Sequence, residues 1–157
     1  MNTKRLAAII AVVAVLTLAY VWLRPQSFER EFSSMIYSAD TGEAKSTLLA
    51  LKGQIYRGIP GDRKMTGTLQ ADGDIHYEVT LRERGGYYLG VMSEVTGGGS
   101  KQTTGIVTAS LALDKIWVML NDVNERYDLK DQEGFIAGPA HTLEEAKQVA
   151  KEIIGSK

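Results

Sequence analysis

Two histidines, His76 and His141, are the first residues to consider for metal binding or for proton transfer near neutral pH. His76 lies in a segment where apolar and polar residues alternate, and His141 directly precedes Thr142, which begins a helical pattern. A metal site or a catalytic triad would require both imidazoles to meet further ligands or a nucleophile, and their spacing does not indicate this. We interpret both histidines as surface or loop residues and expect neither a metal site nor a cofactor.

Two other segments partly follow the pattern of ion-binding or phosphate-binding loops. Residues 122–133 place acidic or amide side chains at several calcium-loop positions, but Arg126 and Tyr127 occupy the positions that need a ligand oxygen and a glycine. Residues 97–101 lack the spacing of a phosphate loop and precede a predicted strand rather than a helix. We interpret both segments as exposed connections.

Loop carboxylates are the remaining candidates for catalysis. Asp62, Asp72 and Asp74 lie in predicted loops, and a hydrolase could use a pair of such groups at one end of a sheet as acid and base. Such a site needs a concave pocket that holds two carboxylates, at least one of them with a perturbed pKa. Because no catalytic motif accompanies these residues, the favoured interpretation is a protein that is not an enzyme, and an envelope hydrolase is the alternative.

Aromatic residues give the sequence its candidate contacts for a ligand or partner. Tyr87 and Tyr88 are adjacent on a predicted strand, so one of them must face away from the core. An outward-facing Tyr88, or Trp117 if it faces outward, could anchor a partner through a large apolar surface with a polar tip. A position in the core or at a sheet edge is the competing interpretation for each residue.

The most informative element is an uncharged apolar stretch near the N-terminus. Leu6–Leu23 comprises 18 residues without charge, proline or glycine. As a helix it would be about 27 Å long, close to the thickness of the hydrocarbon core of a bilayer. Tyr20 and Trp22 lie at its C-terminal end, where aromatic rings prefer the lipid headgroups. This pattern predicts an N-terminal transmembrane signal-anchor over residues 1–25, with the lipid bilayer as its partner.

Basic residues predict the orientation of this anchor. Lys4 and Arg5 precede the apolar stretch, so the positive-inside rule leaves the N-terminus in the cytoplasm and the remaining chain outside the cytoplasmic membrane. Cleavage of a signal peptide near Ala19, followed by secretion, is the alternative, although the apolar residues continue past that position. Pairing of the helix with a membrane partner through its alanines would instead make the chain an accessory subunit of a membrane complex.

Charge and composition limit the partners of the exported domain. Three of the 18 basic residues and none of the 19 acidic residues lie within residues 1–25, which leaves 15 basic against 19 acidic side chains and a net charge of −4 beyond them. Without a stripe of Lys and Arg, this charge argues against nucleic acid and against electrostatic docking on anionic lipid. The absence of cysteine excludes disulfides and thiol chemistry.

Alternation of apolar and polar residues predicts antiparallel strands from Met35 onwards, with turns around residues 40–42 and 113–115. Facing residues in a hairpin must share a face, and this rule predicts register. A three-residue loop would pair Leu69 with Ile75 in one hairpin, and a loop of the same length would pair Leu81 with Leu89 in the next.

The C-terminal segment combines a capping box with an apolar stripe. Thr142 and Glu145 stand three residues apart, and apolar residues follow at helical spacing up to Ile153. We therefore expect an amphipathic helix over residues 142–154 that packs on the sheet or covers a barrel end.

Together these patterns predict a mostly β fold. It is an antiparallel meander of about seven to nine strands, rolled or barrel-like, with one C-terminal helix and a preceding N-terminal transmembrane helix. The predicted domains are the anchor at 1–25, a short helix or stalk at 26–34, and an extracytoplasmic β domain at 35–157. The predicted function is a binding or accessory module of the cell envelope, with a protein or another envelope component as its partner.

Overall fold

The chain forms a closed β-barrel with one helix before it and one after it. The computed structural model describes residues 3–38, 40–58, 62–72, 75–95, 101–121, 127, 129–130 and 133–155. Within these residues the elements are α1 (Thr3–Leu23), β1 (Gln26–Ser38), β2 (Ala44–Tyr56), β3 (Lys64–Ala71), β4 (Ile75–Arg84), β5 (Tyr87–Val95), β6 (Lys101–Ser110), β7 (Ile116–Asn121), β8 (Glu133–Gly138) and α2 (Leu143–Ile154).

Each strand pairs antiparallel with its neighbours in the sequence, and β8 pairs with β1 to close the barrel. Closure removes the open sheet edges that would otherwise invite pairing with other chains. The predicted antiparallel meander with a barrel-like form and a C-terminal helix is therefore confirmed. The turns predicted at residues 40–42 and 113–115 also lie between consecutive strands.

Residues 26–34 are not the predicted short helix or stalk, because they form most of β1 and pair with β2 from Gln26 opposite Ile55 onwards. Phe28 and Phe32 stand four residues apart, a spacing that suggested one face of a helix. An even separation also places two residues on the same face of a strand. Here both rings join the barrel core, with Phe32 buried and Phe28 packed against it.

Side chains fill the interior of the barrel. Strand pleating directs every second residue inward, and the largest side chains that are fully buried include Tyr77, Tyr88, Leu51, Met65, Met92 and Ile136. An eight-stranded barrel is just wide enough for its own side chains. Among the described residues, the interior thus serves as the hydrophobic core.

The register predicted between β3 and β4 is wrong by two residues. Leu69 faces Tyr77 rather than Ile75, and Ile75 faces Ala71. Ala71 therefore belongs to β3, and the loop to β4 begins at Asp72 rather than at Ala71. A shift of two residues leaves every side chain on its predicted face, so the assignment of the core residues in this hairpin was unaffected.

The register predicted between β4 and β5 is wrong by one residue, and this has larger consequences. Gly85 and Gly86 both have positive φ, 58° and 86°, and they alone form the turn, as a two-residue hairpin of the favoured twist requires. Leu81 therefore faces Gly90 rather than Leu89. A shift of one residue exchanges the two faces of β5, so Leu89 points outward and Tyr88 points into the core.

α2 packs against the outer wall of the barrel. Its apolar stripe, which includes Ala146, Val149 and Ile153, covers outward-facing residues of β1 and β8. Since the core covers the inner face of the same strand, Met35–Ser38 of β1 are buried on both faces. The helix thereby adds a second, smaller core outside the barrel.

The predicted capping box of α2 is present. The Thr142 hydroxyl accepts a hydrogen bond from the Glu145 backbone N–H at 3.2 Å, and the Glu145 carboxylate accepts one from the His141 backbone N–H at 2.7 Å. The first bond satisfies one of the N–H groups that a helix start leaves unpaired, and the second pairs the N–H of His141, the residue before the N-cap. The helix ends before Gly155, whose N–H donates to the Lys151 carbonyl at 2.8 Å.

α1 presents its apolar side chains to the surroundings. The large apolar residues from Ile9 to Leu23 are all exposed, Leu18 to 71%. Among the residues described, no helix combines the length with the apolar character that crossing a membrane requires. The signal-anchor stays a prediction.

Candidate functional site

Tyr88 is a core residue, and its predicted role as an outward contact is wrong. Its side chain is 1% exposed because the two-glycine turn directs it inward. Burial raises the pKa of the Tyr88 phenol, and a hydrogen bond with Arg63 opposes this effect. We call the end of the barrel where β1 begins the mouth. The Tyr88 phenol lies at this end and lines a cavity there from the core side.

Trp117 faces outward from β7, as its predicted role requires, and lies partly beneath α2. Its ring stacks on Phe135 of β8 with centroids 5.6 Å apart, and Phe135 in turn contacts Tyr37 at the same centroid distance. Burial raises the pKa of Tyr37, and a side-chain hydrogen bond with Trp117 opposes the rise. The aromatic side chains hold one another in place, so Trp117 offers a rigid apolar edge.

A continuous apolar depression, here called the outer groove, runs from Trp117 across the outside of β6 and β5. It is defined by Tyr87, Leu89, Val91, Ile106, Trp117 and Ile154. It combines two adjoining cavities of about 390 and 370 Å³, both of which are lined by Leu89 and Ile106. Val91 is 49% exposed and Ile106 40% exposed. Arg82 and Arg84 of β4 line one side, so the groove is apolar with a basic border.

A second depression lies at the mouth. Three charged residues follow the inward-facing apolar positions at this end of the barrel, each two residues away from the last of them: Arg57 after β2, Arg63 before β3 and Glu83 in β4. Because every second residue of a strand faces the same way, these charged side chains form the layer next to the core. This mouth cavity measures about 410 Å³, and its lining includes Trp22, Gln26, Arg57, Arg63, Tyr88 and Leu111.

The charges of the mouth are only partly balanced. Arg63 Nε lies 3.4 Å from Glu83 Oε2, and this buried oxygen accepts no hydrogen bond from the described residues. Arg57 instead donates a hydrogen bond of 2.8 Å to the Gln26 side-chain oxygen, and its guanidinium carbon lies 5.5 Å from the centre of the Trp22 ring. Glu83 therefore pairs with Arg63, whereas within the described residues Arg57 has no carboxylate at ion-pair distance.

Two of the three predicted catalytic carboxylates, Asp62 and Asp72, do not come together. Asp62 and Asp72 lie at opposite ends of β3, and Asp74 lies outside the described residues. Eight residues of strand separate the two ends by about 26 Å, too far for a shared substrate bond. Asp72 has a structural contact, since its carboxylate accepts a hydrogen bond from the Leu48 backbone N–H at 3.0 Å.

His76 and His141 are exposed, as the sequence indicated. His141 lies in a polar depression of about 360 Å³ with Asp72 and with serines that include Ser33 and Ser46. Within the described part of the chain, no hydrogen bond connects the His141 ring to a serine hydroxyl or a carboxylate. The depression therefore contains the residue types of a hydrolytic triad without the connections that activate a nucleophile.

The remaining candidates are the two loop segments that partly follow ion-binding or phosphate-binding patterns. Residues 96–100, and with them most of the glycine-rich segment, lie outside the described residues, as does most of 122–133. In the ranges that the structure does describe, no group of three or more histidine, cysteine, aspartate or glutamate side chains could hold a metal ion.

Sequence reasoning missed the arginines of the mouth. Arg57 stands apart from other basic residues in the chain, Arg63 has only Lys64 beside it, and the two arginines form no basic stripe. The signal that was available is positional, because each of them continues the inward phase of its strand past the last apolar residue. Only the register of a closed barrel shows that β2, β3 and β4 bring these positions to the same end.

Comparisons with protein-family models, with curated proteins and with solved structures gave no match to this chain.

Proposed function

We propose that this chain is a non-enzymatic module tethered to the cytoplasmic membrane by α1, with its barrel on the outer side, which holds an apolar segment of an envelope protein in the outer groove. The observation that carries the proposal is the outer groove itself. Exposed Leu89, Val91 and Ile106 lie side by side and lead to Trp117. Contiguous apolar surface of this kind on a soluble domain marks an interaction site.

The filled interior supports binding on the outside of the barrel. A barrel whose interior is occupied by its own side chains does not enclose a ligand, so a partner must bind to the wall or at the ends. The border of Arg82 and Arg84 favours a partner segment that carries a carboxylate beside its apolar anchors. An aromatic residue held rigidly at one end of the groove, Trp117, is typical of an interface hot spot.

Two observations support α1 as the membrane tether, namely its apolar sequence and the exposure of its apolar side chains. Leu6–Leu23 has the length of a membrane helix and follows a basic flank. The exposed apolar side chains of α1 from Ile9 to Leu23 would be costly in water and favourable in lipid. The closed barrel that follows forms its own core without these side chains.

Site-specific photo-crosslinking tests this proposal. A photoreactive amino acid at Val91, which is 49% exposed, is compared with one at Leu48, which is 50% exposed on β2 outside the groove. We expect cells that produce the full chain to give a defined adduct from position 91 and none from position 48. An Ile106→Asp change in the same chain should abolish the adduct, because it places a charge within the groove.

The control for folding is the thermal unfolding of each variant, which should change little at positions this exposed. Equal adducts from positions 91 and 48, an adduct that persists in Ile106→Asp, or no adduct from position 91 would each contradict the proposal.

A further inference from the structure

We propose that the mouth cavity binds the phosphate group of an anionic lipid, with Arg57 and Arg63 as its direct contacts. This inference rests on the tether in the proposed function and adds a second ligand at a separate place. It concerns the end of the barrel next to α1, whereas the outer groove lies on the wall between β5, β6 and α2.

The connection between α1 and the barrel fixes the position of the mouth. Only Arg24 and Pro25 separate Leu23, the last residue of α1, from Gln26, the first residue of β1. Three Cα steps extend over at most about 11 Å. Since Gln26 itself lines the mouth cavity, a helix that ends at the membrane surface must hold this cavity at the depth of the headgroups.

The lining of the cavity contains a residue that marks the same depth. Trp22 belongs to α1 and also lines the mouth cavity. Tryptophan side chains in membrane helices prefer the headgroup region. The Arg57 guanidinium lies over this ring at 5.5 Å, so an anion that contacts Arg57 would lie beside Trp22, where the headgroups are.

The charge of the mouth suits a phosphate group. In the described part of the chain, no carboxylate lies within ion-pair distance of Arg57, and Glu83 opposes only Arg63. Arginine is the side chain best matched to phosphate, because its planar guanidinium donates two parallel hydrogen bonds to neighbouring oxygens. The described residues that line the mouth cavity include both arginines and no carboxylate, and a phosphodiester bound there would neutralise the positive charge of the lining.

Apolar residues in the same cavity favour a lipid over a free phosphate ion. Ile55 and Leu111 line the mouth beside the arginines and are only partly buried by the barrel core. A free phosphate has no apolar part that could cover them. The glycerol and upper acyl carbons of a lipid would cover this surface while its phosphate contacts the guanidinium groups.

The test uses Trp22 fluorescence of the full chain in neutral detergent, in a Trp117→Phe background so that one tryptophan reports. The chain is titrated with short-chain phosphatidylglycerol, short-chain phosphatidylcholine and glycerol phosphate. We expect saturable binding of phosphatidylglycerol, with weaker binding of the other two. Arg57→Gln and Arg63→Gln should each weaken it about tenfold, the usual effect of losing a charged hydrogen bond.

Lys64→Gln is the matched control, because Lys64 is adjacent to Arg63 and is exposed on the outer face of β3. It removes the same charge and should leave the affinity unchanged. An equal loss in Lys64→Gln would show unspecific attraction and overturn the proposal. Absence of saturable binding would overturn it, as would equal binding of phosphatidylcholine. Glycerol phosphate that binds as tightly as the lipid would assign the site to a free phosphate compound instead.

Failure of this inference is distinguishable from failure of the proposed function. The titration measures the mouth cavity in detergent and does not depend on where the chain lies in a cell or on what occupies the outer groove. Crosslinking from position 91 does not involve the mouth. Each result can therefore contradict one proposal and leave the other standing.

Discussion

At the scale of single residues, glycines lie at inward-facing positions where neighbouring strands approach each other closely. Gly53 and Gly67 face each other across β2 and β3, and a Cβ on Gly67 would lie 2.0 Å from the Lys52 carbonyl oxygen. Similar close approaches occur at Gly90 and Gly105. Glycine at such positions lets the backbones approach where a barrel turns a corner.

The first prediction concerns Gly67→Ala. The added methyl group meets backbone rather than a movable side chain, so β2 and β3 must separate, and we expect a loss of about 1–3 kcal/mol in the free energy of unfolding. Urea denaturation followed by circular dichroism measures this loss. Thr68→Ala, at an exposed position of the same strand, is the control and should cost less than about 0.5 kcal/mol. Equal effects of the two changes would contradict the packing argument.

The second prediction concerns the pH dependence contributed by Tyr88. Burial raises the pKa of its phenol, so the folded protein holds this proton more tightly than the unfolded chain does. The contribution of this proton to the free energy of unfolding is complete below the ordinary tyrosine pKa of about 10. It is lost as the pH rises through the higher pKa of Tyr88 in the folded protein.

Difference titration of tyrosinate absorbance between the natural chain and Tyr88→Phe measures this phenol separately from the other tyrosines. We expect Tyr88 to ionise above pH 10 or only on unfolding. Ionisation of Tyr88 at or below the ordinary value in the folded protein would contradict its position in the core.

At the scale of elements, α2 depends on its capping box for a defined start. Thr142→Ala removes the hydroxyl that accepts from the Glu145 N–H, and we expect it to lower the free energy of unfolding by about 1 kcal/mol. Thr142→Ser keeps the acceptor and should retain most of the stability. Thermal unfolding of the three chains measures the difference. A Thr142→Ser chain as unstable as Thr142→Ala would show that the hydroxyl is not the stabilising group.

The elements also show what the sequence could and could not predict. Alternation and capping predicted the strand content and α2, because these patterns are local. The face of Tyr88 depended on whether the turn at Gly85-Gly86 contains two or three residues, and local alternation in β5 fits either choice. The spacing of Phe28 and Phe32 places both rings on one face of either a helix or a strand. Only the pairing of this segment with β2 distinguishes the strand from the helix.

At the scale of the whole molecule, net charge did not predict the two arginines at the mouth. Residues beyond the predicted anchor have a net charge of −4, which argued against docking on anionic lipid. The closed barrel nevertheless gathers Arg57 and Arg63 at the end next to α1. Net charge describes the average field, and the local field at the mouth depends on strand register, which composition does not contain.

The central claim is that α1 lies in the membrane and leaves the barrel outside. The chain contains no cysteine, so single cysteines can be placed at Thr3, at the start of α1, and at Lys147, exposed on α2. A membrane-impermeant maleimide should label Lys147→Cys in intact spheroplasts and Thr3→Cys only after lysis. Labelling of Lys147→Cys only after lysis, or its recovery from the medium in a shortened chain, would contradict the account.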